Sequence, residues 1–127
     1  TNAANIGDAT GLRGSTTAGS LYLSLHTADP GEAGNQTTNE AAYTSYARKA
    51  VARSGAGWTV ASNSAVLAAN ADFVTATGGS ETETYFGIGT DPSGAGTLLY
   101  SGTISPNIVV SNGVTPTLTT GTTVTED

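Results

Sequence analysis

The chain has 127 residues, and Thr, Ala and Gly supply 59 of them (23, 19 and 17). Charged residues make up 11%, under half of the ~25% of an ordinary soluble domain, and ten acidic against four basic residues give a net charge of −6, which argues against a general nucleic-acid binder. Cys and Met are absent, which excludes disulfides, thiol nucleophiles and Cys-ligated zinc, and no apolar run approaches the roughly 18 residues of a membrane helix or resembles a signal peptide.

A chain of this length is expected to form one domain that buries about two-thirds of its surface. Its core materials are thin, with 6% aromatic residues and many apolar positions held by Ala. Part of the stability is therefore expected from neighbouring subunits, which stabilise a fold by mass action.

Residues 1–19 carry only Ile6 and Leu12 as large apolar side chains and show neither a helical nor a strand period. They read as an extended or loosely ordered arm, with Asn5, Ile6, Leu12 and Arg13 as candidate partner contacts. Residues 20–127 read as the β-rich domain. Leu21, Leu23 and Leu25 alternate with Tyr22, Ser24 and His26, the period-two pattern of a half-buried strand. The strand ends in Ala28-Asp29-Pro30-Gly31, a turn in which Pro presets φ and Gly accepts positive φ. A polar loop over 29–41 follows, longer than ordinary hairpin loops and for that reason a functional candidate.

Residues 43–53 are predicted as strand in preference to helix, closing on Ser54-Gly55-Ala56-Gly57 and Trp58-Thr59-Val60 as a hairpin-like unit. Further strands are predicted over 65–68, 73–76, 82–90, 97–105, 108–111, 114–118 and 122–125. Gly78-Gly79, Asp91-Pro92-Ser93-Gly94 and Asn112-Gly113 punctuate them. Asn112-Gly113 is the strongest hairpin signal, because a type I′ turn needs positive φ at both central residues. Short strands separated by turns, rich in β-branched Thr, predict an all-β fold: an antiparallel sandwich, or a jelly-roll or barrel-like single domain.

Catalytic chemistry finds little support. The single histidine, His26, lies on the polar face of the first strand, no Gly-x-Ser-x-Gly elbow accompanies it, and a hydrogen-bonded or surface role is expected in place of a triad. Asp29 and Glu32 share a loop without the residue pattern of a calcium site. Glu81 and Glu83, two apart on one strand face, read as solvated, since the Asp-x-Asp-x-Asp-Gly pattern of a calcium loop is missing, and one Trp supplies little of the aromatic cleft a glycosidase pair needs. Gly87-Ile88-Gly89 lacks the third glycine and following helix of a dinucleotide fingerprint, and no phosphate loop occurs. Asn35-Gln36-Thr37 is a formal glycosylation sequon of a kind expected by chance in a Thr-rich chain. No catalytic residue, cofactor or metal site is expected.

One charge feature stands out. Arg48, Lys49 and Arg53 are three of only four basic residues and fall within six positions. They are read either as solvated residues guarding an edge strand or as a basic contact for an acidic surface on a partner or on another copy of this chain.

The run Leu21-Tyr22-Leu23-Ser24-Leu25-His26-Thr27-Ala28-Asp29-Pro30-Gly31-Glu32-Ala33-Gly34 is distinctive. With it go Thr38-Asn39-Glu40, the stretch from Tyr43 to Arg53, Thr77-Gly78-Gly79-Ser80, Phe86-Gly87-Ile88-Gly89-Thr90 and Ser93-Gly94-Ala95-Gly96-Thr97-Leu98-Leu99-Tyr100-Ser101-Gly102. Together they resemble a family of small structural proteins of tailed bacteriophages, tail-fibre-like or of capsid decoration type, over about residues 20–127. The N-terminal stretch departs from that pattern: Gly7, Gly11, Gly14 and Gly19 disfavour the more helical segment that precedes the first strand in the family.

The resemblance implies a virion structural protein without enzymatic activity, made in the bacterial host cytoplasm. A capsid decoration (cement) protein is favoured, binding the outer shell and bridging subunits of the major capsid protein. A tail-fibre or tail-associated component, or a β-module recognising host-surface carbohydrate, are the alternatives. Its expected partners are the major capsid protein and copies of itself in a homo-oligomer, with neither nucleic acid nor membrane and no small-molecule ligand. Placement on the capsid surface is preferred to the tail.

Overall fold

The computed structural model describes residues 19–61, 64–121 and the backbone of 123–125. The arm, with Asn5, Ile6, Leu12 and Arg13, lies outside the described residues. Among the described residues nine strands occur in order: β1 (Ser20–His26), β2 (Lys49–Ala52), β3 (Trp58–Ala61), β4 (Ser64–Leu67), β5 (Ala71–Asp72), β6 (Ser80–Gly89), β7 (Leu98–Ser111), β8 (Thr117–Leu118) and β9 (Thr123–Thr125). No helix is present among the described residues, and the pairs β1–β6, β6–β7, β3–β4 and β4–β9 are all antiparallel. The chain is all-β, as its alternating and Thr-rich sequence predicts.

The strands form a four-stranded sheet ordered β2-β1-β6-β7, a three-stranded sheet β3-β4-β9 and a two-stranded sheet β5-β8. The larger sheet ends on β2 and β7 and does not close into a barrel. The residues group into two compact units, one drawn from positions up to 21, 51–71 and 117 onward, the other from 22–50 and 72–116.

In the first unit Trp58 pairs with Leu67 and Val60 with Ala65 across the β3–β4 hairpin. Trp58, Ala65, Leu67, Ala71 and Leu118 are buried together with Leu21. The turn into β3 is the expected Ser54-Gly55-Ala56-Gly57: the Ser54 carbonyl accepts the N–H groups of Gly57 and Trp58, both at 3.0 Å. Gly57 is required there, because a Cβ would stand 2.2 Å from the Ala52 carbonyl oxygen.

The second unit is built on β1 between β2 and β6. Leu23 and Leu25 are fully buried as the alternation predicts, but Ser24 and His26 are equally buried. The strand expected to be half-solvated is interior on both faces. Its partner on β6 makes this possible: Gly87 stands opposite Ser24 and Gly89 opposite Tyr22, so β6 leaves space for polar side chains arriving from elsewhere.

Other expectations are corrected. The strand predicted over 43–53 shrinks to β2, because Tyr46 N–H turns back to the Tyr43 carbonyl (3.0 Å) and Ser45 adopts a φ of +76°. That turn stacks Tyr46 on Phe73 and sets Tyr43 edge-on to Tyr46, with centroids 6.4 and 5.3 Å apart. The segments predicted over 97–105 and 108–111 are one strand, β7. Tyr85 pairs with Thr103 and Glu83 with Ile108, so residues 104–107 bulge opposite Thr84. Pro106, which has no N–H to give a ladder, sits in that bulge.

Finally, Asn112-Gly113 is not a hairpin. Gly113 alone has positive φ (+90°), and Asn112 does not, which is the pattern of a type II turn. Ser111 O accepts Val114 N–H at 3.0 Å, and Gly113 N–H bonds to Ala76 O. The chain leaves the sheet instead of folding back on β7. Segments 73–76 and 114–116 bond to each other (Phe73 N–H to Pro116 O, Ala76 N–H to Val114 O, both 2.8 Å); of the strands predicted over 73–76 and 114–118, residues 117–118 alone are strand, as β8.

Leu25→Ala is expected to lower the unfolding free energy by about 2–5 kcal/mol, the range for emptying a filled core position. Val109→Thr, at a side chain 67% exposed, should stay within about 0.5 kcal/mol. Urea denaturation of both variants measures the contrast, and equal effects would contradict the core described.

Candidate functional site

The long polar loop after β1 is held by His26 and Arg48, which the sequence singles out, and by Glu40 and Gln36, for which it predicts no role. The loop closes on the strand it leaves: Thr27 N–H donates to Asn39 O (2.9 Å) and Ala41 N–H to Leu25 O (2.8 Å). His26 fastens its middle. Nδ1 lies 2.8 Å from the Thr38 carbonyl, which can only accept, so Nδ1 carries the hydrogen. Nε2 is then an acceptor and takes the Ser24 hydroxyl at 2.8 Å. Burial holds the imidazole below its ordinary 6.5, so the ring is neutral at pH 7.

A serine bonded to a histidine has the connectivity of a nucleophile and its base. Here both residues are fully buried, and Gly87 lies against them: a Cβ there would stand 2.7 Å from Ser24 Oγ and 2.8 Å from His26 Nε2. The pair fills an interior position, and the hydrogen-bonded role expected for His26 is the one observed.

Glu40 and Arg48 form the second fastening. Arg48 Nε and Nη2 donate to Oε2 and Oε1 of Glu40 at 2.6 and 2.9 Å, the two-pronged arrangement that suits a guanidinium and a carboxylate. Tyr46 adds its hydroxyl to Glu40 Oε2 at 2.8 Å. Burial first, and then the Glu40 charge, push that hydroxyl well above its usual range. The remaining Arg48 donors reach the carbonyls of Asp91 (2.9 Å) and Gly94 (2.7 Å). One side chain thus ties the first loop to the turn 91–96.

Gln36 makes the third. Its backbone N–H bonds to Ala95 O at 2.9 Å. Its amide donates to Asp91 O (3.2 Å) and accepts from Asp91 N–H (3.0 Å). The side chain is fully buried and occupies the space over Gly89 and Gly96, where a Cβ would fall 2.1 and 2.0 Å from it. The glycines of Phe86-Gly87-Ile88-Gly89 therefore serve close packing of polar side chains onto a strand.

Of the three clustered basic residues, Lys49 alone is exposed. Arg48 is 3% exposed at its side chain and Arg53 is fully buried, so neither is a solvated guard of an edge. Arg48 is consumed by internal acceptors because Glu40 and two turn carbonyls converge on it.

The pair Glu81 and Glu83 also differs from expectation. Both share one face of β6, but Glu81 Oε1 accepts the N–H groups of Ala42 and Tyr43 at 2.8 and 2.9 Å. Glu83 is fully buried, and neither of its oxygens has a hydrogen-bond partner among the described residues. Burial, reinforced by the adjacent Glu81, pushes its carboxyl up from 4.5 to about 8. Tyr43 is raised to about 12 by burial and by these two acids. Asn35, the acceptor of the sequon, spends its Oδ1 on Thr37 N–H at 2.9 Å.

A surface groove of about 430 Å³ runs between the turn bearing Asp29, Gly31 and Glu32 and residues 98–101 of β7. No group of three or more His, Asp or Glu side chains that could hold a metal ion occurs among the described residues.

What fold and contacts define is an antiparallel all-β chain whose interior polar groups tie its loops to its sheet. The family model described as Podophage GP4 fiber I protein gp80 matches residues 3–126, and the chain belongs to that family. It is accordingly a phage fibre-like structural protein and a component of the virion. No match was found among curated proteins.

Because Glu83 binds a proton in the folded chain that the unfolded chain releases, its contribution falls as pH rises. Relative stability is fullest below 4.5, declines as pH climbs, and levels off above about 8. Glu83→Gln, which mimics the protonated form, should flatten this slope, so that the variant gains on the wild type as pH rises. Urea midpoints across that window measure it, and parallel profiles for the two proteins would contradict a buried proton on Glu83.

Proposed function

We propose that the chain is a building block of the phage's fibre apparatus that acts by association rather than by chemistry. The carrying observation is the family match over residues 3–126. Two features support an associative role. The buried side chains of Ser24, His26, Gln36 and Arg48 are engaged in positioning loops, and the expected homo-oligomer agrees with a thin, Ala- and Gly-rich composition that gains from neighbours.

Decoration of the capsid shell, the placement favoured by the sequence reading, belongs to the same structural class. Fibre placement is preferred because the matched family is described by that word. In either placement, copies of the chain are its nearest partners, and repeated modest contacts act through effective concentration. Lys49, exposed on β2 at the edge of the four-stranded sheet, is the basic contact that the described residues offer an acidic neighbour. Arg48 and Arg53 are held inside.

Quantitative mass spectrometry of purified virions tests the placement. A fibre subunit is expected in a fixed ratio to tail proteins and to remain with tails when these are separated from heads. Stoichiometry that follows the major capsid protein, with retention on isolated heads, would overturn the fibre placement in favour of decoration.

A further inference from the structure

The two edges of the four-stranded sheet are guarded differently. β2 has 4 residues and carries the exposed Lys49, two features that keep a strand edge from pairing with another chain. β7 has 14 residues and no charged side chain. It lies within an uncharged stretch of 34 residues, from Pro92 to Thr125. The bulge over 104–107 and the exposed Pro106 blunt its middle. Past the bulge the guard ends. Ile108, Val109, Val110 and Ser111 pair in unbroken register with Glu83, Thr82, Glu81 and Ser80, and among the described residues no strand lies on their outer side. In an antiparallel ladder, alternate residues of such a segment turn their N–H and C=O groups away from the sheet, where they are a template for a further strand.

The side chains narrow what pairs there. Val109 is 67% exposed. It stands opposite Thr82, and Ser80, Thr82 and Ser111 beside it are exposed and uncharged. Glu81 and Glu83 alternate with Thr82 and so stand on the other face, where Glu81 accepts the N–H groups of Ala42 and Tyr43 and Glu83 is buried. A strongly charged partner meets no countercharge at this edge. A second copy of the chain does fit. Its charged residues all lie outside 92–125, so two chains of net charge −6 meet along β7 without setting like charges against each other. Antiparallel pairing of one segment with itself about a two-fold axis is self-complementary, and it sets Val109 against Val109 as a β-branched cross-strand pair.

We infer that two copies of the chain join antiparallel through the outer edge of 108–111, with Val109 at the two-fold axis. This pairing deepens the associative role proposed above, on which it rests, by naming the surface that serves it. A ladder of four residues spans roughly 13 Å and is weak alone. Repeated in an assembly, such contacts act through effective concentration.

Because the chain has no cysteine, a single introduced thiol reports the axis. Under mild oxidation Val109→Cys is expected to give a disulfide-linked dimer, since opposed residues of an antiparallel pair bring their Cα atoms to about 4.5–5.5 Å, within disulfide reach. Val74→Cys, at a side chain 47% exposed away from β7, controls for random collision and should link far more slowly. Sedimentation equilibrium supplies the second reading. The wild type should dimerise with rising concentration, and Val109→Lys should weaken this by about tenfold or more, because it sets like charges opposite each other, while keeping the dispersed NMR spectrum of a folded chain. A wild type that stays monomeric at millimolar concentration would overturn the proposal and assign the edge to another occupant. Dimerisation undiminished in Val109→Lys, or cross-linking no faster for Val109→Cys than for Val74→Cys, would overturn it while leaving the associative role standing.

Discussion

The two-pronged bond between Arg48 and Glu40 is the constraint on which the second unit depends. A guanidinium with 3% exposure at its side chain is tolerable only if its donors are met, since an unmatched buried charge costs several kcal/mol. Glu40 meets two of them, and the carbonyls of Asp91 and Gly94 meet others. Meeting them fixes two loops far apart in sequence. The position of Gln36, the bonds it shares with Asp91 and the glycines beneath it all follow from holding those loops in place. So does the turn that forms one wall of the groove.

This arrangement explains a composition that at first looks poor. With few large apolar residues, the chain fills part of its interior with hydrogen-bonded polar side chains: Ser24, His26, Gln36 and Arg48 take places that Leu or Phe would hold elsewhere. Polar interiors of this kind specify geometry when every member is satisfied. Glu83 departs from that pattern. Its oxygens have no partner among the described residues, and it escapes the cost of a buried charge by holding its proton. A structural protein gains from loops with one fixed conformation, and the engaged polar groups supply that here.

Much of the fold was legible in the sequence, for physical reasons. Leu21, Leu23 and Leu25 alternate because one face of β1 is apolar core, and Ser54-Gly55-Ala56-Gly57 turns because Gly57 accepts an approach that no side chain allows. The other face of β1 was misread because period-two alternation reports polarity, and polarity stands for exposure only when no partner is buried with it. Ser24 and His26 are buried with one. Residues 43–53 read as strand because Ser54-Gly55-Ala56-Gly57 and Trp58-Thr59-Val60 complete a hairpin-like unit with them, whereas Ser45 in the left-handed region and the stacking on Phe73 are tertiary choices. Asn112-Gly113 carried a local hairpin signal, and the bond from Gly113 to Ala76 overrode it. Of the polar fastenings, Gln36 left no signal at all. The alternate glycines at 87 and 89 did leave one: glycine in the middle of a strand marks a place where something else approaches closely. Arg48 looked like surface because basic residues usually are, and only the convergence of Glu40 with two turn carbonyls, set by chain tracing across more than forty residues, makes it interior.

Arg48 is spent on holding the loops and is not offered to a partner. Amide hydrogen exchange of Arg48→Met, which keeps an apolar stem and removes every donor, measures this most directly. Protection at Gln36 and Asp91, whose N–H groups bond to Ala95 O and Gln36 Oε1, is predicted to fall by about tenfold or more, roughly 1.4 kcal/mol of local stability. The ladder between Leu23 and Ile88 should keep its protection over the same time. Unchanged exchange at Gln36 and Asp91 would contradict the claim and return Arg48 to the surface contacts.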